Sequence, residues 1–353
     1  MTSTNDEAMR QPLLVTMGDA AGIGPEIVLR ALMREDAPAA LVLGCPRVLR
    51  RAAALLGGAA WPMAVLDAPG DLAQCPPRCV PVWAPPGLPE GLETLPWGQV
   101  DARAGRAAAV CIEAAVRLLQ EGVGRAIVTA PIHKEALSAA GVPYPGHTEM
   151  LQALAAPEGG ELPPVRMMLA NEELKVVLVT IHMALRRALE VLDFEGVLST
   201  IRIAHRAAAA WGQAAPRIAV AGLNPHAGEG GLFGDEELRY IAPAVQVARA
   251  EGIDARGPFA PDTVFMRARH ALPRHPGEFD LVVAMTHDHG LIPVKYLGVE
   301  EGVNVTLGLP FVRTSPDHGT AFDIAGRGVA DDASLRAALR MALALSGAGA
   351  VAV

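Results

Sequence analysis

The sequence predicts an α/β protein built on a mainly parallel, buried sheet. Short apolar runs rich in β-branched residues, "PLLVTMG", "AALVLG", "RAIVTAP", "LKVVLVTIH", "PRIAVAGLN" and "FDLVVAMTH", recur along the chain between longer Ala/Leu-rich stretches. These runs are nearly continuous in apolar character rather than alternating, the pattern of strands covered on both faces by crossover helices. At 353 residues and 51% hydrophobic content, the chain suits two domains or one large α/β domain.

The elements follow in order. "PLLVTMG" leads into "GDAAGIGPE", where Pro25 suits a first helical turn, and then into the amphipathic helix "PEIVLRALMRE". "AALVLG" is a second strand. Residues Ala68 to Pro96 are rich in Pro and Gly and read as an irregular or edge region. The helix "RAAAVCIEAAVRLLQEG" precedes the strand "RAIVTAP", and "FEGVLSTIRIAHRAAAAWG" is the helix between "LKVVLVTIH" and "PRIAVAGLN". After "FDLVVAMTH", strand-like runs accompany Asn304 and Arg313, and "DDASLRAALRMALALSGAGA" reads as a closing helix.

Composition excludes several classes of function. A net charge of -8 without a Lys/Arg cluster provides no footprint for nucleic acid, though local cations still suit small anions. The four cysteines form no disulfide framework in a chain of this size. "CPPRC" lacks the second pair or histidine that a zinc site needs. The N-terminus "MTSTNDEAMRQ" shows no signal design, and no run reaches the roughly 20 apolar residues of a membrane helix. A soluble, cytoplasmic protein is expected.

The chemistry-bearing stretches fall just after the expected strands, where open parallel sheets bind ligands. They are "GDAAGIGPE", "TAPIHKEA", "TIHMALR", "GLNPHAGEGG" and "THDHG". "GDAAGIGPE" is either a phosphate cradle or a tight strand-to-helix turn; its glycine spacing is not that of a dinucleotide fingerprint. His182, His226 and His287 each follow a strand, and three imidazoles with open positions can form a catalytic metal centre. Each alone reads equally as an ordinary loop histidine. Alternation along an extended "THDHG" would turn His287 and His289 to one face and Asp288 to the other. In "PGHTEM", His147 and Thr148 can both donate to an anion, or Thr148 can cap the helix that follows. Lys295, Asn304 and Arg313 lie within or beside apolar runs, where an unpaired charge is costly; this favours Lys295 and Arg313 as clamps for phosphate or carboxylate. "DHGTAFDIAGRG" is a loop of small residues whose backbone an adenine or ribose could approach closely.

Together, "GDAAGIGPE", "TAPIHKEAL", "PGHTE", "GLNPHAGEGG", "HDHGLIPVK" and "GVNVTLGLPFVRTSPDHGTAFDIAG" resemble the 4-hydroxythreonine-4-phosphate dehydrogenase family of vitamin B6 biosynthesis, in the family's order, from about Val15 to Asp331. The resemblance implies a two-domain α/β fold like that of the isocitrate and isopropylmalate dehydrogenases, with an active-site cleft between domains. The chain termini would return to the first domain, so residues 1–135 with 300–353 would form one domain and 136–299 the second. It implies a homodimer whose active sites are shared between subunits. It also implies a divalent metal (zinc, magnesium, manganese or cobalt) on His182, His226 and His287. Substrate would be held at His147, Thr148, Lys295, Asn304 and Arg313, and NAD or NADP at the loop of His318, Gly319 and Asp323. The implied reaction is NAD-linked oxidation of a secondary alcohol followed by decarboxylation, on a small phosphorylated hydroxy acid. The proton acceptor is left open between Lys295 and hydroxide on the cation, with Asp288 or Asp262 as relay.

The sequence departs from the family's usual wording at Ala20 (Pro), His133 (Asn), Thr286 (Tyr) and His289 (Gln). These changes border the pocket and leave the substrate open between 4-phosphohydroxythreonine, threonate or erythronate 4-phosphate, and an aromatic cis-dihydrodiol carboxylate. A non-catalytic metabolite-binding protein is the rival reading. Three histidines without a fourth protein ligand oppose it, because structural zinc sites are closed by four.

Overall fold

The structure is a computed structural model that describes residues 11–57, 62–157 and 160–347. Nearly all of the polar N-terminal segment, and the residues after 347 at the end of the expected closing helix, lie outside them. The chain divides into two compact units. Among the described residues, one comprises 11–163 with 309–347, and the other 164–308.

The first unit contains strands β1 (Leu13–Thr16), β2 (Ala40–Leu43), β3 (Met63–Leu66), β4 (Val80–Trp83) and β5 (Ala126–Thr129). The second contains β6 (Arg166–Ala170), β7 (Lys175–Leu178), β8 (Ile218–Ala221), β9 (Ala255–Phe259), the short ribbon β10 (His270–Ala271) and β11 (His275–Pro276), β12 (Leu281–Ala284) and β13 (Val303–Leu307). The chain returns to the first unit with β14 (Arg313–Pro316).

Strands of the first unit run β3-β4-β2-β1-β5-β14, every pair parallel. β1, β2 and β5 are wholly buried, as their unbroken apolar runs require. The Pro/Gly-rich region supplies β4 beside the half-buried edge strand β3. The helix Ala102–Gln120 starts where Asp101 accepts a hydrogen bond from the Arg103 amide at 2.8 Å, and its apolar face joins β1, β2 and β5 in one core cluster. In the second unit the order is β13-β6-β7-β12-β8-β9. β7, β12, β8 and β9 pair in parallel, while β13 and β6 add antiparallel neighbours. The helix Phe194–Ala210 begins at Asp193, which accepts from the Gly196 amide at 2.7 Å.

The division of the chain differs from the expected breaks at 135/136 and 299/300. Residues 136–163 belong with the first unit because Leu137, Met150 and Leu151 are buried in its core beside Ile112 and Val116. Gly105 lets the segment come close: a Cβ there would lie 2.1 Å from the Ala136 carbonyl oxygen. Residues 303–307 belong with the second unit because β13 pairs along its whole length with β6.

The turn "GDAAGIGPE" is closed on protein backbone, the tight-turn alternative. Gly18 sits at φ 76°, and a Cβ would meet the Pro131 carbonyl oxygen at 2.5 Å; one on Gly24 would meet that of Met17 at 2.5 Å. Asp19, 1% exposed, accepts from the Ala21 amide at 2.8 Å through Oδ1, while its buried Oδ2 has no partner. Burial pushes its carboxyl up from 3.8 to about 6, against the pull of the Ala21 amide and nearby His133. The folded chain therefore holds this proton to higher pH than the unfolded chain, and ionisation costs stability as pH rises from 3.8 through about 6. Asp19→Asn, which keeps the Oδ1 acceptor, should stabilise the protein by roughly 3 kcal/mol at pH 8, with the gain vanishing near pH 4. Denaturant melts at the two pH values check this; an equal gain at both would remove the ionisation argument.

Candidate active site

The second unit arranges its histidines through strand order. β12 lies between β7 and β8, all three parallel, so their carboxyl ends share one edge. His182 follows β7, His226 follows β8 and His287 follows β12. Past the strands, the Val179 amide donates to the Ala284 carbonyl at 2.9 Å and the Thr180 hydroxyl to that of Met285 at 2.8 Å. These bonds keep the two chain exits together, and the His182 and His287 rings lie 5.6 Å apart between centroids. His226 instead packs its ring on Phe233, at 6.2 Å. Among the described residues, no group of three His, Cys, Asp or Glu side chains is gathered as a ready metal site.

Two of these histidines sit in the left-handed backbone region, His182 at φ 46° and His226 at φ 53°. A non-glycine residue there costs about 1–2 kcal/mol, and such strain concentrates at functional sites. The donor set suits a divalent cation. The Asp288 carboxylate accepts from His287 Nδ1 at 2.8 Å, which sets the tautomer and leaves Nε2 for a metal.

His287 opens the helix His287–Gly298, with Pro293 inside it, rather than continuing an extended strand. Residues two apart on a helix are rotated by about 200°, so His287 and His289 do not share a face as strand alternation required. His289 is half-buried, with its Nδ1 enclosed and unpartnered. The same helix corrects the reading of Lys295, which is exposed on the last turn instead of set within an apolar strand. Asp288 is exposed beside His287, and Asp262 is exposed three residues after β9, the outer neighbour of β8.

The turn carrying His226 is unusual. His226, Ala227, Gly228, Glu229 and Gly230 have φ values of 53°, 52°, 79°, 43° and 67°. Glu237 lies beneath them, 2% exposed. Its Oε1 accepts from the Leu223 and Asn224 amides at 2.7 and 2.8 Å, and its Oε2 from Asn224 Nδ2 at 2.9 Å. Burial opposes ionisation of Glu237, but the donors of Asn224 and Leu223 prevail and hold its carboxyl below the usual range. In sequence, "GDEEL" resembles a solvated charge run, so Glu237 gave no signal of this role.

The first unit holds an anion-suited cluster. Arg313 opens β14 at 3% exposure, with Nη2 and Nε donating to the Thr129 hydroxyl at 2.7 and 3.2 Å. Burial lowers its guanidinium to about 10, still charged at neutral pH. His147 lies close enough to feel that charge. Burial first, and Arg313 second, push its imidazole well below the ordinary value, so it is neutral near pH 7. The ring is only half-buried overall, but its Nε2 is enclosed and unpartnered. Helix His147–Ala155 is capped by Gly146, not by Thr148; Thr148 occupies the first turn, whose free amides suit an anion. Thr129, inside the quoted stretch "TAPIHK", was not singled out because nothing local marks it as the partner of an arginine 184 residues away. Asn304 lies half-buried on β13 in the second unit, opposite Leu169.

The loop after β14 is anchored on one side. The Ile23 amide donates to the Thr320 carbonyl at 3.1 Å, Phe322 stacks on His133 at 4.6 Å and 14°, and a Cβ on Gly326 would strike Trp97. His318, Gly319 and Asp323 are exposed; His318 Nδ1 is 3.0 Å from the Gly319 carbonyl, and among the described residues no atom beyond its chain neighbours lies within 4 Å of where a Gly319 Cβ would be. A rigid backbone edge with open space above it suits a flat ring or a ribose. Among the described residues, no helix is long and apolar enough to cross a membrane.

Comparison with known proteins gives the family of the chain. The profile of the family described as pyridoxal phosphate biosynthetic protein PdxA matches residues 36–342. The chain is 55% identical over 336 residues to a 4-hydroxythreonine-4-phosphate dehydrogenase of Beijerinckia indica, covering 95% of each. It is 43% identical over 340 residues to a D-threonate 4-phosphate dehydrogenase of Pectobacterium atrosepticum, covering 96% of this chain and 100% of that one. The crystal structure of a 4-hydroxythreonine-4-phosphate dehydrogenase from Klebsiella pneumoniae superposes with a TM-score of 0.86 at 44% identity, over 96% of this chain and 98% of that one. By profile, identity and fold, the chain belongs to the PdxA family of pyridoxal phosphate biosynthetic proteins.

Proposed function

We propose that this protein is an NAD(P)-linked, metal-dependent dehydrogenase that oxidises the secondary alcohol of 4-phosphohydroxythreonine, with loss of CO2 to give 3-amino-2-oxopropyl phosphate. The observation that carries the reading is the placement of three histidines after three adjacent parallel strands, in a chain 55% identical to a protein named for that substrate. D-threonate 4-phosphate is the second reading, favoured by a full-length relative named for it.

His182, His226 and His287 are the residues to hold the divalent ion, which when bound would lower the pKa of a coordinated hydroxyl and polarise the developing carbonyl. Asp288 fixes the His287 tautomer. Arg313 and the neutral His147 supply donors for a phosphate: a buried guanidinium has already lost its water, and an anionic oxygen restores what that loss cost. Thr148 and the first-turn amides add to the same attraction. Lys295 and Asn304 complete the substrate contacts, and Lys295, Asp288 or Asp262 takes the hydroxyl proton. The loop of His318, Gly319 and Asp323 receives the adenosine end of NAD or NADP. Two copies of the chain would assemble as a homodimer.

His287→Ala should lose bound zinc and at least about a hundredfold in turnover, whereas His289→Ala should keep its metal. Metal content after gel filtration, read by atomic emission, decides; equal loss in both variants would overturn the assignment. Arg313→Ala should raise KM about tenfold or more for a phosphorylated substrate and far less for an unphosphorylated one. A uniform rise would argue against a phosphate clamp. For the substrate itself, NADH formation is to be followed on 4-phosphohydroxythreonine, threonate and erythronate 4-phosphates, and an unphosphorylated cis-dihydrodiol carboxylate. The highest kcat/KM is expected on the first. Preference for a sugar-acid phosphate would move the protein to the second reading, and silence on all four with metal bound would revive a binding protein.

A further inference from the structure

The turn that carries His226 is built on strained backbone. Five consecutive residues have positive φ, and only Gly228 and Gly230 among them are glycine. Backbone bonds at its two ends run from the Ala227 amide to the Asn224 carbonyl at 3.0 Å, the Phe233 amide to Gly228 at 3.2 Å and the Leu232 amide to Glu229 at 3.4 Å. Residue Glu237 closes it from below. One carboxylate oxygen gathers the Leu223 and Asn224 amides at the entry to the turn, and the other takes Asn224 Nδ2. Asn224 Nδ2 also donates to Glu236 Oε2 at 2.7 Å. The fit is close on both strands of the turn: a Cβ on Gly222 would lie 2.9 Å from Glu237 Oε1, and one on Gly228 2.7 Å from Oε2. Residues Glu237–Ile241 form a single π-helical turn ahead of the helix Ala242–Ala250, a geometry that recurs at functional sites.

We propose that Glu237 is a positioning residue for His226: its buried carboxylate holds the left-handed turn after β8 so that the imidazole is presented to the divalent ion. The proposal rests on the metal role assigned to His226. An ionised carboxylate is the suitable group because the turn offers two backbone amides to one oxygen and a side-chain amide to the other. A glutamine there keeps one acceptor and sets an NH2 against Asn224 Nδ2, so the turn loosens without losing its core packing.

The test is a double-mutant cycle read by metal affinity. Zn2+ is titrated into metal-free protein against a chromophoric chelator, for the native chain, Glu237→Gln, His226→Ala and the double variant, and the Co2+ absorption spectrum of each is recorded. Glu237→Gln should weaken Zn2+ binding by about 10–100-fold and change the Co2+ spectrum. In the His226→Ala background the same substitution should change Zn2+ affinity by less than about twofold, because the histidine it positions is gone. Equal losses in the two backgrounds, or no loss in the native one, would overturn the positioning role while leaving the metal assignment standing. Unchanged affinity in His226→Ala would remove the metal assignment and this proposal with it. If Glu237→Gln does not fold, Asn224→Ala, which removes the side-chain donor to Glu236 and Glu237 and leaves the two backbone amides on Glu237, enters the same cycle with the same expectations.

Discussion

Parallel pairing of β12 with β7 on one side and β8 on the other is the constraint on which the candidate centre depends. Parallel strands end on one edge, so whatever follows them is delivered to the same place. Three segments that begin 44 and 61 residues apart in sequence, at His182, His226 and His287, thereby become neighbours in strand order. The backbone bonds from Val179 and Thr180 to the end of β12 extend that coupling beyond the sheet and set His182 beside His287. No local sequence device performs this task; the three histidines share no short spacing.

The chain accepts local instability where chemistry is expected. His182 and His226 occupy left-handed backbone that most side chains avoid, Asp19 holds a half-satisfied buried carboxyl, and Arg313 keeps a guanidinium in the interior. The rest of the fold absorbs these costs through wholly buried strands such as β1, β2, β5, β8 and β12. The strained turn of His226 also has a buried polar group beneath it. The carboxylate of Glu237 collects three donors at one point there.

The candidate metal histidines and the buried guanidinium lie in different units. The second unit presents imidazoles and carboxylates, a set for a cation. The first presents a buried guanidinium beside an imidazole kept neutral by burial and by that same guanidinium. A second full positive charge on His147 would face Arg313 without water to screen it. An anion bound there would meet one fixed charge and several neutral donors, which favours geometry over net attraction.

The sequence by itself determined the strands of the parallel core, the long amphipathic helices and the family, because unbroken apolar runs and ordered motifs are local signals. It also singled out the three histidines and Arg313 as candidates, by residue type and by position after or within a strand. It misjudged "HDHGLIPVK", since a proline at the seventh position and two histidines obscure a helix that packing against β7 and β12 stabilises. It missed β6 and β9, whose runs are short or interrupted by Gly257 and Pro258. Only the tertiary structure could pair Thr129 with Arg313, place residues 136–163 on the first core, and turn Glu237 from a surface-like charge into the support of a strained turn. Each of these depends on contacts between residues far apart in the chain or on backbone conformation, neither of which leaves a periodic trace in sequence.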